Sequence, residues 1–116
     1  MKILPPTLRE KKRYLALEII SETRASRNQF LKELQYSIAS LVGDVGLSES
    51  GLQLLYFDGR FAIVRCVPKK IWVVRAGIAA ITGINKIRIA ARVVGIGGTV
   101  RSVTEKYKDK KNYTSQ

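Results

Sequence analysis

Apolar residues recur along the chain with two periods, and the switches between them divide it into elements. Residues 13–20, RYLALEII, alternate: Leu15, Leu17 and Ile19 fall on one side, Tyr14, Ala16 and Glu18 on the other. That pattern predicts a half-buried strand. Ser26, followed three residues later by Gln29, is a capping box, and Phe30, Leu34, Ile38 and Leu41 then repeat at helical spacing. Gly43 is the expected stop, with a loop holding Gly46, Ser48 and Gly51 after it. Residues 52–57, LQLLYF, predict a second strand, and Asp58-Gly59 a hairpin turn into a third. On that third strand Ala62, Val64 and Cys66 share one face, while Phe61, Ile63, Arg65 and Val67 share the other. Pro68 ends it and starts a helix expected over 69–82, closed by Gly83. Residues 85–96 alternate again, with Ile87, Ile89, Ala91 and Val93 facing one way and Lys86, Arg88, Ala90 and Arg92 the other. Gly97-Gly98, with Thr99 as N-cap, opens a last helix over 100–108, striped by Val100, Val103 and Tyr107.

The order strand, helix, strand, strand, helix, strand is the ferredoxin-like plan. It predicts an α/β (α+β) sandwich with an antiparallel sheet, like that of RNA-recognition motifs, here with an extra C-terminal helix. One domain is expected over 1–108, with a basic arm at 1–12 and a polar, disordered tail at 109–116. On this plan two helices cover one sheet face. The other face collects Tyr14, Glu18, Phe61, Ile63, Arg65, Lys86, Arg88 and Arg92, which gives Arg65 a place on the uncovered side. Tyr14 and Phe61 are the residues that could stack on unpaired bases there. Ile63 and Cys66 stand where further aromatics would be expected, so the face suits backbone contact better than sequence reading. The alternative is a solvated face with a Glu18–Arg ion pair, covered in part by the last helix.

Charge changes the picture. The 116 residues hold 21 Lys and Arg against 9 Asp and Glu, a net charge of +12 and a pI near 10.2. So basic a domain repels itself unless a polyanion neutralises it. Nucleic acid is the first partner class and an anionic membrane surface the second. No window holds ~18 uncharged apolar residues, and the N-terminus lacks a signal-peptide core, so a cytoplasmic protein with no membrane partner is expected. The single Cys66 forms no intramolecular disulfide and reads as a small buried hydrophobe. There is no histidine, which excludes a Ser-His-Asp or Cys-His nucleophile, and the scattered acids make no two-metal nuclease site. No catalytic residue, metal ligand or protein-bound cofactor is expected.

The basic residues fall into groups. Lys11, Lys12 and Arg13 open the first strand. Lys69 and Lys70 occupy a first helical turn, where cations oppose the helix dipole unless a phosphate binds at that end. Gly97-Gly98 before the last helix is either an anion cradle or a tight turn with a Thr99 cap, and Arg101 adds to a basic patch in both cases. With Tyr14, Phe61, Arg65, Lys86, Arg88 and Arg92 these form the candidate nucleic-acid-binding set. The second helix is apolar nearly all round. Ile71, Val74, Ile78 and Ile81 make its core stripe, leaving Trp72, Val73, Ala76 and Ala79 for a protein partner or for intramolecular cover by the last helix.

Three stretches, LPPTLREKKRYLALEI, SRNQFLKELQYSIASLVGDVGLSESGLQLLYFDGRFAIVRC and GGTVRSV, together resemble the small basic subunit of archaeal ribonuclease P, the component 2 family, over roughly residues 1–107. The resemblance implies a ribonucleoprotein whose RNA, with magnesium, is the catalyst and removes the 5′ leader of precursor tRNA. It further implies that the partners are ribonuclease P RNA and other protein subunits, especially the TIM-barrel-like component 3, with self-association as a homodimer at the centre of a heterotetramer. It supplies no protein catalytic residue. Two other readings stay open on composition: a ribosomal or other structural-RNA-binding protein of the same fold, and a small-molecule regulatory domain on the ferredoxin-like plan.

Overall fold

A computed structural model describes residues 12–23, 25–84 and 87–105. The expected arm, apart from Lys12, and the expected tail lie outside the described residues, as do Lys11, Lys86 and Tyr107. β1 (Arg13–Ser21) leads to α1 (Arg27–Ser50), then to the hairpin of β2 (Gln53–Phe57) and β3 (Phe61–Cys66). A 3-10 turn, Pro68–Lys70, runs into α2 (Ile71–Ala79); β4 (Gly83–Ile84) and β5 (Ile87–Gly97) follow, and a short helix, α3, occupies 100–105. The sheet order is β2-β3-β1-β5-β4, antiparallel throughout. The expected ferredoxin-like α+β architecture is therefore present, with β4 added at one edge.

The main core lies between the sheet and the two long helices. Leu15, Leu17 and Ile19 of β1 meet Ala62, Val64 and Cys66 of β3 and Phe30, Leu34 and Ile38 of α1 there. The ring of Phe30 stacks on Phe57 with centroids 5.1 Å apart. The Ser26 capping box forms in full: Gln29 N–H donates to Ser26 Oγ at 3.1 Å, and Ser26 N–H to Gln29 Oε1 at 3.0 Å.

Four expectations are corrected. Gly43 breaks the helix (φ 78°, ψ 174°), a conformation with little penalty for glycine, but the chain re-enters helix at once and continues to Ser50, with Gly51 as the left-handed cap. The second helix ends at Ala79, not at 82. Its last turn tightens, Ile81 N–H donating to Ile78 O at 3.2 Å, and Thr82 O then accepts from Ile89 N–H of β5 at 3.3 Å. Val73 is 1% exposed and belongs to the core, because α2 is covered by α1 and by the sheet at once. It is removed from the candidate partner surface. Finally, the second sheet face is not open throughout. Val103 of α3, 0% exposed, packs on Ala16, Phe61 and Ile63 and makes a small second core there.

The contact between α1 and α2 is close at one point. Ser37 Oγ–H donates to Gly77 O at 2.6 Å, and a Cβ on Gly77 would stand 2.5 Å from Ile38 Cγ1. Gly77→Ala should therefore destabilise the domain by ~1–3 kcal/mol, as overpacking does, although alanine is the better helix former by ~1 kcal/mol. Thermal melts measure it; a raised midpoint would show that the helices separate at no cost.

Candidate nucleic-acid interface

Strand register gathers basic side chains at one end of the sheet. β1 begins there and β3 and β5 end there: Arg13 pairs with Cys66, and Tyr14 lies between Arg65 of β3 and Gly97 of β5. Arg13 Nη1 stands 3.7 Å from where a Cβ on Gly98 would be, and Lys12 Nζ is equally far from that position on Gly51. Lys69 and Lys70 follow β3 directly in the 3-10 turn. Arg101 lies in α3, just beyond Gly98. Lys12, Arg13, Tyr14, Arg65, Lys69, Lys70 and Arg101 thus belong to one pole of the molecule.

Several of these cations are already engaged. Lys70 Nζ is 3.8 Å from Glu49 Oε2, beside the C-terminal end of α1, where Val67 N–H donates to Ser50 O at 2.9 Å. The negative end of that helix favours a cation, so the first-turn lysine has a reason to be there without a phosphate. Arg101 pairs with Glu105 one turn on, at 3.1 Å. Arg65 is half-buried at the rim of the covered face and donates through Nη2 to Gln53 Oε1; its Nε is shut off from water without a partner. Arg13, Arg65 and Lys69 have no anionic partner among the described residues.

Arg88 and Arg92 are not part of this pole. Gly97 stands nine positions beyond Arg88 on β5, about 30 Å at the rise of a strand. Arg92 Nη2 lies 3.3 Å from Glu18 Oε2, the ion pair that the alternation of β1 and β5 anticipated. Phe61, 9% exposed beneath α3, is not available as a stacking platform, whereas Tyr14 is half-buried beside it. The exposed ring on this face is Tyr56 of β2, 6.0 Å from Phe61 between centroids. Periodicity missed it because a bulge between Leu54 and Tyr56 shifts the phase of β2. Tyr56 donates to Asp58 Oδ2 at 3.0 Å, and that hydrogen bond, with the carboxylate's charge, raises its pKa above the usual phenol value. On α2, Trp72 is 65% exposed, and Ala76 and Ala79 continue its outward stripe.

The chemistry available here is binding. Among the described residues, no three of His, Cys, Asp and Glu stand close enough together to hold a metal ion. The thiol of Cys66 is buried, and burial pushes its pKa up to about 11, against a smaller opposing pull from Lys12. No helix among the described residues is long and apolar enough to cross a membrane.

The profile of the Rpp14/Pop5 family matches residues 13–108. The chain belongs to that family. Its similarity to family proteins runs nearly end to end. It is 46% identical over 107 residues to ribonuclease P protein component 2 of Methanosarcina mazei, covering 92% of each chain. Against the protein of the same name from Archaeoglobus fulgidus the identity is 35%, covering 92% of this chain and 97% of the other. With that of Pyrococcus furiosus it is 29%, over 91% and 90%. Among solved structures, a chain of yeast ribonuclease MRP superposes with a TM-score of 0.65, covering 91% of this chain and 95% of that one at 10% identity, which shows the shared fold. The component 2 resemblance of the sequence is therefore established as membership of a ribonuclease P subunit family, and the fold expected from it is the fold observed.

The position of Cys66 generates a pH prediction. A thiol raised from 9.0 to about 11 in the folded state is favoured there in its neutral form. Its contribution to stability is then fully present below pH about 9 and lost as pH rises toward about 11. Alkylation at pH 8 should be slow in the native protein and fast in denaturant. Equal rates in both would show that the thiol is open to solvent.

Proposed function

We propose that the chain serves as a non-catalytic, RNA-binding subunit of ribonuclease P, holding the particle's RNA while that RNA removes the 5′ leader of precursor tRNA. The observation that carries this reading is the basic pole, where Arg13, Arg65 and Lys69 lack anionic partners among the described residues. Phosphate oxygens are the natural complement to guanidinium groups. Magnesium, on this reading, arrives with the phosphates of the RNA. The outward stripe of Trp72, Ala76 and Ala79 is assigned to a protein partner, the TIM-barrel-like component 3. Self-association of two copies at the centre of the assembly is the arrangement that the family implies.

Each neutralised phosphate adds ~0.7–0.9 to the slope of log affinity against log salt. Removing both Arg13 and Arg65 by alanine substitution should lower that slope by about 1.5 while the melting profile stays cooperative. Arg88→Ala with Arg92→Ala should leave it nearly unchanged. The reverse result would move RNA binding to the far end of β5.

The protein with magnesium and without RNA should leave precursor tRNA intact. Cleavage that survives destruction of all RNA in the preparation would defeat the non-catalytic assignment.

Trp72→Ala should weaken binding to component 3 by more than ~1 kcal/mol. The free domain should melt almost as before, because the ring is 65% exposed. A large loss of stability with unchanged partner affinity would return Trp72 to the core.

A further inference from the structure

The sheet ends in an edge that is only partly closed. β4 pairs with the first two residues of β5, Gly83 with Arg88 and Ile84 with Ile87, and Thr82 O reaches one residue further to Ile89 N–H at 3.3 Å. Among the described residues the cover stops there. Ile19 N–H of β1 points away from β5, donating to Arg60 O at 2.8 Å. Its opposite number on β5 is Ala91, and that of Leu17 is Val93. In an antiparallel ladder such non-hydrogen-bonded pairs turn their backbone groups away from each other. Ala91 and Val93 therefore direct N–H and C=O groups outward, with no partner among the described residues. A groove of about 250 Å³ runs along this edge, walled by Ile78 and Ala79 of α2 and floored by Ala91 and Val93. Ala79 also lines a second hollow, of about 580 Å³, together with Ile20, Ile81 and Ile89. Arg75 stands at one rim and Arg88 at the other, both exposed and without an anionic partner among the described residues. Glu22 is the acidic residue that lines the second hollow.

We propose that the free edge of β5 is a docking site for an extended, acidic segment of a partner protein, which adds to the sheet as a further strand. Alternating N–H and C=O groups match a peptide backbone. They do not match RNA, whose phosphates only accept and would meet the outward carbonyls. A second copy of this chain is disfavoured by charge, since edge-to-edge pairing would bring together two edges that each carry Arg75 and Arg88 without an anionic partner among the described residues, and like charges repel. The facing of β5 specifies the segment. Ile89, Ala91 and Val93 point to the helix side and Arg88 and Arg92 to the other, so the incoming strand alternates apolar residues toward α2 with Asp or Glu on the opposite face, where Arg88 has no anionic partner among the described residues and Arg92 is shared with Glu18. Arg13 and Arg65 take no part, which keeps loss of this site distinguishable from loss of RNA binding.

The probe is a short blocked peptide alternating valine and glutamate, titrated into the full chain and followed by amide exchange. Exchange at Ala91 and Val93 should slow on addition of peptide. Two N-methylated versions separate strand addition from mere charge attraction. Methylation of one alternate set of amides should abolish binding, and methylation of the other should leave it. Arg75→Glu with Arg88→Glu, at exposed positions, should weaken the unmethylated peptide about tenfold with RNA affinity retained at the basic pole. Equal binding by both methylated peptides, or none by the parent peptide, overturns the proposal. So does protection of Ala91 and Val93 that rises with protein concentration alone, which would assign the edge to a second copy. Protection of the same amides by single-stranded RNA overturns it as well.

Discussion

β1 is bonded along both edges and covered on both faces over Leu15–Leu17, and the molecule is arranged around that fact. β3 bonds to one of its edges and β5 to the other. Leu15 and Leu17 are sealed beneath α1 and α2, and Ala16 beneath α3. A strand so covered in its middle has room for charge only at its ends or where its second face runs out of cover. Lys12 and Arg13 take the first place and Glu18, with Arg92, the second. The basic pole is thus a consequence of burial elsewhere: the neighbours of β1 end where it begins, and their terminal residues bring Arg65 and Gly97-Gly98 to its first residues.

Most of the fold was legible because its signals are local. The alternation in 13–20 and 85–96, the Ser26 capping box and the Asp58-Gly59 turn each depend on residues close together in sequence. The errors came from packing between distant residues. Nothing near Phe61 or Ile63 announces that Val103, some forty positions later, will cover them. Val73 looked like surface because a single helix can hide only one stripe, yet α2 lies against both α1 and the sheet. The bulge in β2 was equally silent, and with it the exposure of Tyr56.

The candidate site was legible in part for the same reason. Charge counting identified the cations but could not say which would meet an acid. Lys70 finds Glu49 and Arg92 finds Glu18 through tertiary folding. Arg101 finds Glu105 through helical spacing, a pairing that the sequence does display. Arg13 and Lys69 are left without an acid among the described residues by the same geometry, and their availability is a property of the assembled fold.

The second core is held from outside by one short helix. The main core joins the sheet to α1 and α2, whereas Ala16, Phe61 and Ile63 are roofed by Val103. Two cores of such unequal size open with unequal ease, since the free energy of local opening rises with the apolar surface that opening exposes to water. Lifting α3 exposes Phe61 and Ile63 while leaving the helix-side packing in place. Opening at α3 would therefore uncover an aromatic-bearing sheet face at less cost than any opening of the main core, and a ligand with affinity for that face would favour the opened form.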